Sequence, residues 1–366
     1  MLWKSNGSFV IQRTISSMLW KRFYNSCSKA NVQRRAPGRL PLVLCGVTAL
    51  GAGCAAAEYH RRNYHAELSQ EYFTKYKISY RKDIDIDHYL LELTPLKQQR
   101  NNIWALFGAR NLWAVEIKQP EIMVVRQYTP LPLVADEDGE QLRALRDGDN
   151  GGGKLMLYIK EYGSGEVARW LRKLPKGHIV EVRGPYPEFE FPELDADTKR
   201  DREFSGRGRA CVAAAARAGP FDIALFAAGT GIVTALQLLT TEDPFKGKIQ
   251  LFYSCKSWGQ LGPLGDLLRR CAQHDRVDLH VFESEKGESL RLGLSKISDL
   301  VSGPFPFSEN APFEQRPKAE PVLSLVCGPD DYIAFIAGPR HGLSQGPVTG
   351  LLGTKGWDNS NVYKLS

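Results

Sequence analysis

Arg126-Gln127-Tyr128-Thr129-Pro130 (RQYTP) follows directly on the apolar residues of EIMVV, at the end of a predicted β-strand. Side chains two residues apart on a strand share a face, so Arg126 and Tyr128 point together, and Pro130 ends the ladder just after Thr129. An arginine fork donates two hydrogen bonds to phosphate oxygens, and a tyrosine offers a flat surface to a ring. The stretch predicts a site for a pyrophosphate-linked planar ring. The alternative is an exposed strand end with an ordinary surface arginine.

Short β-rich runs surround this stretch from about residue 72 to residue 191, with turns between them. Spacing of this kind, without helices between the runs, predicts an antiparallel β-barrel or sandwich. One helical interruption is predicted at GEVARWLRKL, where Val167, Trp170, Leu171 and Leu174 fall on one face. The runs are YKISYR, HYLLEL, LWAVEIK, IMVVRQYT, KLMLYIKEY and HIVEVRGP.

The pattern changes after residue 220, where buried-strand runs alternate with helical segments. DIALFAA, KIQLFYSC, VDLHVF and VLSLVC are the strand runs, and IVTALQLLTT, PLGDLLRRCAQ and DYIAFIA are the helical ones. Strand followed by helix, repeated, predicts a parallel sheet of the doubly wound type. We therefore expect a β-barrel domain over residues 66–193, a polar linker over 194–219 and an α/β domain over 220–366. The loops 136–153 and 302–321 are expected to be plain insertions.

Two loops of the α/β half stand where ligands bind in parallel sheets. Ala227–Val233 (AAGTGIV) joins the first strand to a helix, and its glycines let the backbone and the helix N-terminus approach a phosphate. Val326–Tyr332 (VCGPDDY) follows the carboxyl end of a later strand, which puts the thiol of Cys327 beside a ligand. A buried core cysteine is the alternative reading of Cys327.

These three motifs, in this order, resemble the ferredoxin-NADP reductase superfamily, and most nearly its cytochrome b5 reductase branch, over about 300 residues from Tyr72 onward. The resemblance implies an FAD-binding β-barrel followed by a Rossmann-like domain that binds NADH or NADPH. It implies that Arg126 binds the FAD pyrophosphate, that Tyr128 stacks on the flavin and that Thr129 contacts the ring edge as a catalytic residue.

The family's next element is a G-x-x-S helix start that binds the FAD phosphates, and here it resembles Gly165-Glu166-Val167-Ala168. Alanine replaces the expected serine, so only the backbone N–H groups of residues 166–168 are left to serve. Lys160 and Tyr162 match positions along the flavin nucleotide, and Val182–Pro185 (VRGP) matches the strand that closes the barrel.

In the α/β half, the resemblance implies a nicotinamide site. Its residues are Gly229, Thr230 and Gly231, similar to G-T-G-I-[TS]-P, and Cys327, Gly328 and Pro329, similar to C-G-P-x-x-M, with Cys327 a catalytic contact.

Several positions depart from the family pattern. Val233 and Thr234 replace a Thr-Pro pair, Tyr332 replaces the methionine, and Gly259 stands near an acidic position of NADH-specific members. Lys256 and Ser257 keep NADPH open as the donor, and Tyr363 is a candidate for the family's C-terminal aromatic residue.

The N-terminal region carries the excess positive charge. The chain has a formal net charge of +7, but residues 1–57 hold eight basic groups and no acidic one, which leaves 40 basic and 41 acidic groups elsewhere. The balance elsewhere removes the electrostatic argument for a nucleic-acid partner. The acid-free, Ser-rich residues 1–39 are typical of a mitochondrial transit peptide.

The uncharged segment Leu40–Ala57 reaches roughly 27 Å as a helix, close to the ~30 Å hydrocarbon core. It predicts one transmembrane anchor, with a peripheral or cleaved segment as the alternative. Three flanking arginines (34, 35 and 39) against two (61 and 62) favour an N-terminus in the matrix and a body in the intermembrane space.

Leader, anchor and reductase body together resemble fungal mitochondrial inner-membrane flavoproteins implicated in haem attachment to cytochrome c. The resemblance implies electron transfer from NAD(P)H through FAD to haem or a haem protein, with cytochrome c haem lyase and apocytochrome c as partners. The alternatives are a non-catalytic FAD-binding assembly factor for the lyase and a generic NADH-cytochrome b5 reductase. Haem carriage by His60, His65 or His88 is disfavoured because no C-x-x-C-H is present, and no cysteine pair has metal or disulfide spacing.

Overall fold

The computed structural model describes Gly53 and residues 67–365, apart from 109–110, 137–138, 147, 164, 192–220, 242–245, 274–275, 289–297, 306–317 and 343. The predicted transit peptide (1–39), anchor (40–57, except Gly53) and linker (194–219) thus lie outside the described residues. Residues 61–366 form one compact unit. Within the described part of the chain, no helix is both long enough and apolar enough to cross a membrane.

Six antiparallel strands form a curled sheet in the first half, where the sequence predicts a barrel. Their order across the sheet is β4-β3-β8-β1-β2-β7, so β8, the last of them in the chain, joins β1 to β3. The strands are β1 (Thr74–Asp83), β2 (His88–Pro95), β3 (Asn111–Gln119), β4 (Val124–Tyr128), β7 (Leu155–Lys160) and β8 (Ile179–Glu190); a short hairpin, β5 (Leu133–Ala135) and β6 (Leu142–Ala144), lies apart.

The edges of this sheet meet only through a short contact among the described residues. After β4 ends at Tyr128, Leu131 forms an isolated antiparallel bridge with Met156 of β7. The Leu131 N–H donates to the Met156 carbonyl at 2.8 Å. The Met156 N–H donates in return to the Leu131 carbonyl at 3.4 Å. The barrel therefore closes at a single bridge.

Five parallel strands form the second sheet, in the order β11-β10-β9-β12-β13. All eight residues of β9 and all seven of β12 are buried, as expected of central strands covered on both faces. The prediction of a doubly wound sheet is confirmed. The strands are β9 (Phe221–Ala228), β10 (Lys246–Cys255), β11 (Val277–Glu283), β12 (Pro321–Cys327) and β13 (Val362–Lys364).

The predicted helices are present, and a short one was not predicted. Helix α1 (Glu166–Lys173) buries Val167 and Leu171 against the barrel, and its last turn carries two basic residues, as the helix dipole favours. In the second half, α2 (Ile232–Thr240), α3 (Pro263–Ala272) and α4 (Asp330–Ala337) follow β9, β10 and β12. The sequence analysis missed α5 (Gly350–Thr354) and β13.

One apolar core runs from the barrel into the parallel sheet. Leu133 and Leu142 of the hairpin belong to the same cluster as Leu264 and Leu268 of α3. The prediction that residues 136–153 are a plain insertion is therefore wrong, because this segment supplies β6 and part of the contact between the two sheets.

Candidate functional site

The parallel sheet reverses its strand order between β9 and β12. The chain proceeds from β9 to β10 and β11 on one side, then crosses to β12 and β13 on the other. Such a reversal opens a crevice at the carboxyl ends of the two central strands, where ligands of open α/β sheets bind. The turn Gly229–Gly231 follows β9, and residues 328–329 follow β12, so both predicted loops lie at this crevice.

Glycine is required where these loops approach each other. A Cβ on Gly231 would lie 2.6 Å from the carbonyl oxygen of Cys327, and a Cβ on Gly328 would lie 2.9 Å from the Cβ of Ala228. Gly229 has φ +55° and faces open space. The two loops thus form one surface, with backbone exposed at Gly229.

A cleft of 540 Å³ lies between the barrel and this surface. It brings together fourteen of the fifteen residues predicted to bind a cofactor. The fifteenth, Gly229, lines an adjoining cavity of 310 Å³ that shares Lys160 and Pro329 with the cleft. The predicted residues in the cleft are Arg126, Tyr128, Thr129, Lys160, Tyr162, Gly165, Glu166, Val167, Ala168, Thr230, Gly231, Cys327, Gly328 and Pro329.

The barrel wall of the cleft carries an exposed arginine and a half-buried tyrosine ring. The guanidinium of Arg126 hydrogen-bonds to the carbonyl of its neighbour Val125 at 3.0 Å. No ion pair ties Arg126 to a carboxylate among the residues that the structure describes. Burial raises the pKa of Tyr128 well above its ordinary value, so its phenol is neutral. This wall presents a free cation beside a flat uncharged ring.

The N-terminus of α1 opens onto the same cleft. Gly165 is its N-cap and supplies no capping side chain, so the first N–H groups of the helix are free of side-chain acceptors. The hydroxyl of buried Tyr89 donates to the carbonyl of Ala168 at 2.6 Å and holds the helix start against the barrel. Nearby, the Lys160 ammonium lies 5.2 Å from the ring centre of Tyr162. These groups suit an anionic ligand.

The opposite wall is built around Cys327. Burial raises the pKa of its thiol to about 12, with the Glu188 carboxyl acting in the same direction, so the group is a neutral thiol at physiological pH. It can pack against a ring but does not act as a nucleophile. Burial also raises the pKa of Glu188 to about 7, and its Oε2 has no hydrogen-bond partner.

Several lining residues were not among those predicted to bind a cofactor: Gln127, Tyr158, Ile159, Val233 and Asp330. Tyr158 stacks on the ring of buried His88 at 5.6 Å, and its hydroxyl donates across to the carbonyl of Gln260 at 2.9 Å. A signal existed, because Tyr158 is two residues before Lys160 and so lies on the same face of β7.

The positions that depart from the family pattern have different surroundings. Val233 lines the cleft, and Lys256, Gln260 and Tyr332 line the adjoining cavity. Gln260, the neighbour of Gly259, lines that cavity, and Gly259 is not among the lining residues. Lys256 pairs with Glu285 at 3.4 Å.

Two further predictions fall away from the cleft. The ring of Tyr363 lies 5.1 Å from that of Phe189, and Tyr363 is not among the residues that line either cavity; its assignment as the family's C-terminal aromatic residue stays a prediction. His88 is buried and bonded through Nδ1 to Asp85 at 2.9 Å. His60 and His65 lie outside the described residues. The described residues contain no cluster suited to a metal ion.

No family model matches the chain. It is 45% identical over 379 residues to the cytochrome c mitochondrial import factor CYC2 of Saccharomyces cerevisiae, and the match spans all of both chains. It is 25% identical to an uncharacterized FAD-binding protein of Schizosaccharomyces pombe, over 89% of this chain and 97% of that one. It is also 25% identical to NADH-cytochrome b5 reductase 2 of Kluyveromyces lactis, over 76% of this chain and 80% of that one.

The 45% identity to the yeast import factor is higher than chance or a shared fold explains. It extends over the whole length, including the N-terminal residues outside the described structure. The reductase matches agree with the resemblance drawn from the motifs. The chain belongs to the family of the yeast import factor, within the ferredoxin-NADP reductase superfamily.

Proposed function

We propose that this protein is a flavoenzyme that holds FAD on the barrel wall of the cleft and receives a hydride from NADH or NADPH bound at the opposite wall. One observation carries the proposal. The residues of the flavin motif and those of both nucleotide loops, which are up to about 200 positions apart in the chain, line a single 540 Å³ cleft at the switch point of the parallel sheet.

The barrel wall fits FAD in the chemistry of its groups. Arg126 has a free guanidinium for the pyrophosphate, the uncapped N-terminus of α1 offers N–H groups, and Tyr128 presents an uncharged ring to a flavin. Bound FAD takes up a hydride and gives up electrons one at a time. The carboxylate of Glu166, exposed in the first turn of α1, is the one group there that does not favour an anion.

The nucleotide wall has residues that orient a second ring and exclude water. Thr230 and Gly231 bring backbone to the cleft, and the Cys327 thiol is buried and uncharged beneath them. A small neutral side chain lets a nicotinamide ring approach closely, which hydride transfer requires. Thr129, next to the ring-bearing Tyr128, is placed to contact the flavin edge.

The electron acceptor we propose is haem or a haem protein in the mitochondrion. The relative of 45% identity is named as a cytochrome c mitochondrial import factor, and a more distant one as an NADH-cytochrome b5 reductase. We infer that this chain supports haem attachment to cytochrome c, with the haem lyase and apocytochrome c as partners. Its location would be the inner membrane, crossed once, with residues 66–366 in the intermembrane space.

Anaerobic stopped-flow spectroscopy tests the activity. The full chain, purified in detergent, should be yellow from noncovalent FAD, and NADH or NADPH should bleach the flavin absorbance. Ferric haem or ferric cytochrome c should then restore it. A folded but colourless protein would contradict the FAD assignment, and reoxidation by cytochrome b5 alone would favour a generic cytochrome b5 reductase.

A second candidate is a non-catalytic FAD-binding assembly factor. The position of Tyr332 favours it, because this side chain lines the nucleotide cavity and its Cδ1 would lie 3.0 Å from a Cβ on Gly328. In that case the protein is yellow, but neither nucleotide bleaches it. The same experiment therefore separates the two functions.

Protease accessibility tests the location. In mitoplasts, whose outer membrane is opened, added protease should digest the reductase body. Protection under those conditions would place the body in the matrix and make a role in haem attachment to cytochrome c untenable.

A further inference from the structure

Gln237 is a buried polar residue with apolar neighbours in helix α2. Its neighbours in the sequence are Ala235, Leu236 and Leu238, and its relative solvent exposure is 0%. A buried amide without hydrogen bonds destabilises the folded protein, so a glutamine at such a position has partners. Sequence analysis passed over it, although a glutamine within ALQLL signals a buried polar contact.

All three bonds of this amide cross from the parallel sheet's helix to the barrel. Its Oε1 accepts from the Trp113 N–H at 2.9 Å, and its Nε2 donates to the Trp113 carbonyl at 3.0 Å and to the Pro130 carbonyl at 2.7 Å. The orientation of the amide is fixed by these partners, because one is a donor and two are acceptors. A single side chain thus binds strand β3 and the segment that follows strand β4.

The Gln237 amide binds at the point where the hydrogen-bond ladder between β3 and β4 ends. Strands β3 and β4 pair up to Val115 opposite Tyr128. Extending that register by two residues sets Trp113 opposite Pro130, which has no N–H to give to the Trp113 carbonyl. The Gln237 amide supplies that donor and satisfies the Trp113 N–H as well. The proline that ends RQYTP therefore creates the opening that α2 fills.

This contact joins the two walls of the cleft by a short path. On one side, Pro130 directly follows Thr129. On the other, Gln237 is six residues after Gly231, within the helix that begins at the nucleotide turn. The side chain of a buried residue with three bonds has little freedom, so it fixes the position of Thr129 relative to Gly231.

We propose that Gln237 is a positioning residue that sets the separation of the flavin and nicotinamide rings. The inference rests on the proposed function, because it concerns the ligands of the same cleft. Gln237 touches neither ligand and acts through Pro130 and through α2. Reacting atoms must come within roughly 3 to 3.5 Å, and a displacement of about 1 Å costs on the order of 100-fold in rate.

The test compares Gln237→Met, which keeps length and removes the amide, with Thr240→Val in the same helix. Thr240 donates only within the helix, to the Leu236 carbonyl at 2.5 Å. In full-length holoprotein, Gln237→Met should retain FAD but slow flavin reduction at saturating NADH about 10- to 100-fold. The Trp113 amide should also exchange with deuterium faster, a readout that needs no turnover. Thr240→Val should change neither.

The variant Gln237→Glu allows two states of the same protein to be compared by changing the pH. A protonated carboxyl still donates one hydrogen bond to these carbonyls, whereas the ionised form has no donor and faces two oxygens. Flavin reduction in this variant should therefore slow as pH rises, relative to the parent at each pH. A pH profile parallel to that of the parent would overturn the inference, even if Gln237→Met fails to fold.

The possible results distinguish the positioning role of Gln237 from the proposed flavoenzyme activity. If flavin reduction in Gln237→Met is as fast as in the parent, or if Thr240→Val slows it equally, the role of Gln237 is overturned. The proposed oxidoreductase function is not contradicted by either result. A parent that NADH and NADPH both fail to reduce would overturn the proposed function and this inference together.

Discussion

The two walls of the cleft differ in how their polar groups are used. On the barrel wall, Arg126 bonds only to the backbone of its own strand, and the N-terminus of α1 has no side-chain cap. Beside the nucleotide wall, Arg340 donates to the Leu365 carbonyl at 3.0 Å and to Asp330 at 2.8 Å, and Lys256 pairs with Glu285. The charged group of the barrel wall is thus free to bind a ligand, whereas the cations beside the nucleotide wall mostly pair with groups of the protein.

The difference indicates that the two proposed ligands are held unequally. A wall with a free cation, free N–H groups and a half-buried ring suits a resident cofactor. A wall whose cations have internal partners, and whose cavity contains the Tyr332 ring, suits a weaker ligand that comes and goes, or one that no longer binds. Three alterations from the family pattern, at residues 233, 234 and 332, lie on this second side, whereas the barrel side has one, Ala168 in place of serine.

The largest expected effect concerns the barrel wall. Arg126→Ala should weaken FAD binding by about 2 to 4 kcal/mol, the range for removing one partner of a desolvated charge pair. Titration of apoprotein with FAD, followed by fluorescence, measures it. Arg143→Ala is the matched control, because Arg143 is also an exposed strand arginine bonded to a neighbouring carbonyl but lies outside the cleft. Equal FAD affinity in both variants would mean that the free cation is not a ligand.

Glu188, a residue of β8 that acts on the Cys327 thiol, should give a smaller, pH-dependent effect. Burial raises the pKa of Glu188 from 4.5 to about 7, while Arg340 acts in the opposite direction. A raised folded-state pKa stabilises the protein below the unfolded value, and this contribution is lost as pH rises through the folded value. Between about pH 4.5 and pH 7, the free energy of unfolding should thus fall by about 1 to 3 kcal/mol relative to Glu188→Gln.

Denaturant unfolding across that pH range measures this difference. Glu181→Gln on the same strand is the control, since its pairing with Lys118 at 3.4 Å is near the surface and should contribute little. If Glu188→Gln and the parent lose stability in parallel, Glu188 is ionised in the folded protein across the range.

Much of the cleft was predictable because its motifs are local. Arg126 and Tyr128 are two residues apart on one strand, and the glycine turns sit at strand ends, so short patterns place them. The fold class followed from periodicity, since alternating runs gave the barrel strands and continuous runs gave β9 and β12. The rule on ligand sites in parallel sheets placed the two nucleotide loops, and the resemblance to the reductase superfamily joined them to the flavin motif.

The unpredicted parts depend on contacts between distant residues. Strand β13 has three residues and exists because it pairs with β12 at the sheet edge. The hairpin of β5 and β6 is stabilised by packing on α3, which its own polar loop does not reveal. The burial of Gln237 is explained only by its hydrogen bonds to Pro130 and Trp113, which lie opposite each other in the fold but far from Gln237 in the sequence. Such features need tertiary information that no local window contains.

The smallest expected effect concerns the second wall and tests whether one side chain explains its weakness. Tyr332→Met would clear the aromatic ring from the space beside Gly328, so the affinity for NADH or NADPH should rise about 3- to 10-fold, or up to ~1.4 kcal/mol. Tyr332→Phe keeps the ring and loses only the hydroxyl, which has no hydrogen-bond partner, so it should bind nucleotide as the parent does. FAD content should be the same in all three proteins, and equilibrium titration of the holoprotein gives the affinities. Unchanged affinity in Tyr332→Met would show that the ring does not restrict the cavity. The contrast between the walls would then rest on their charges alone.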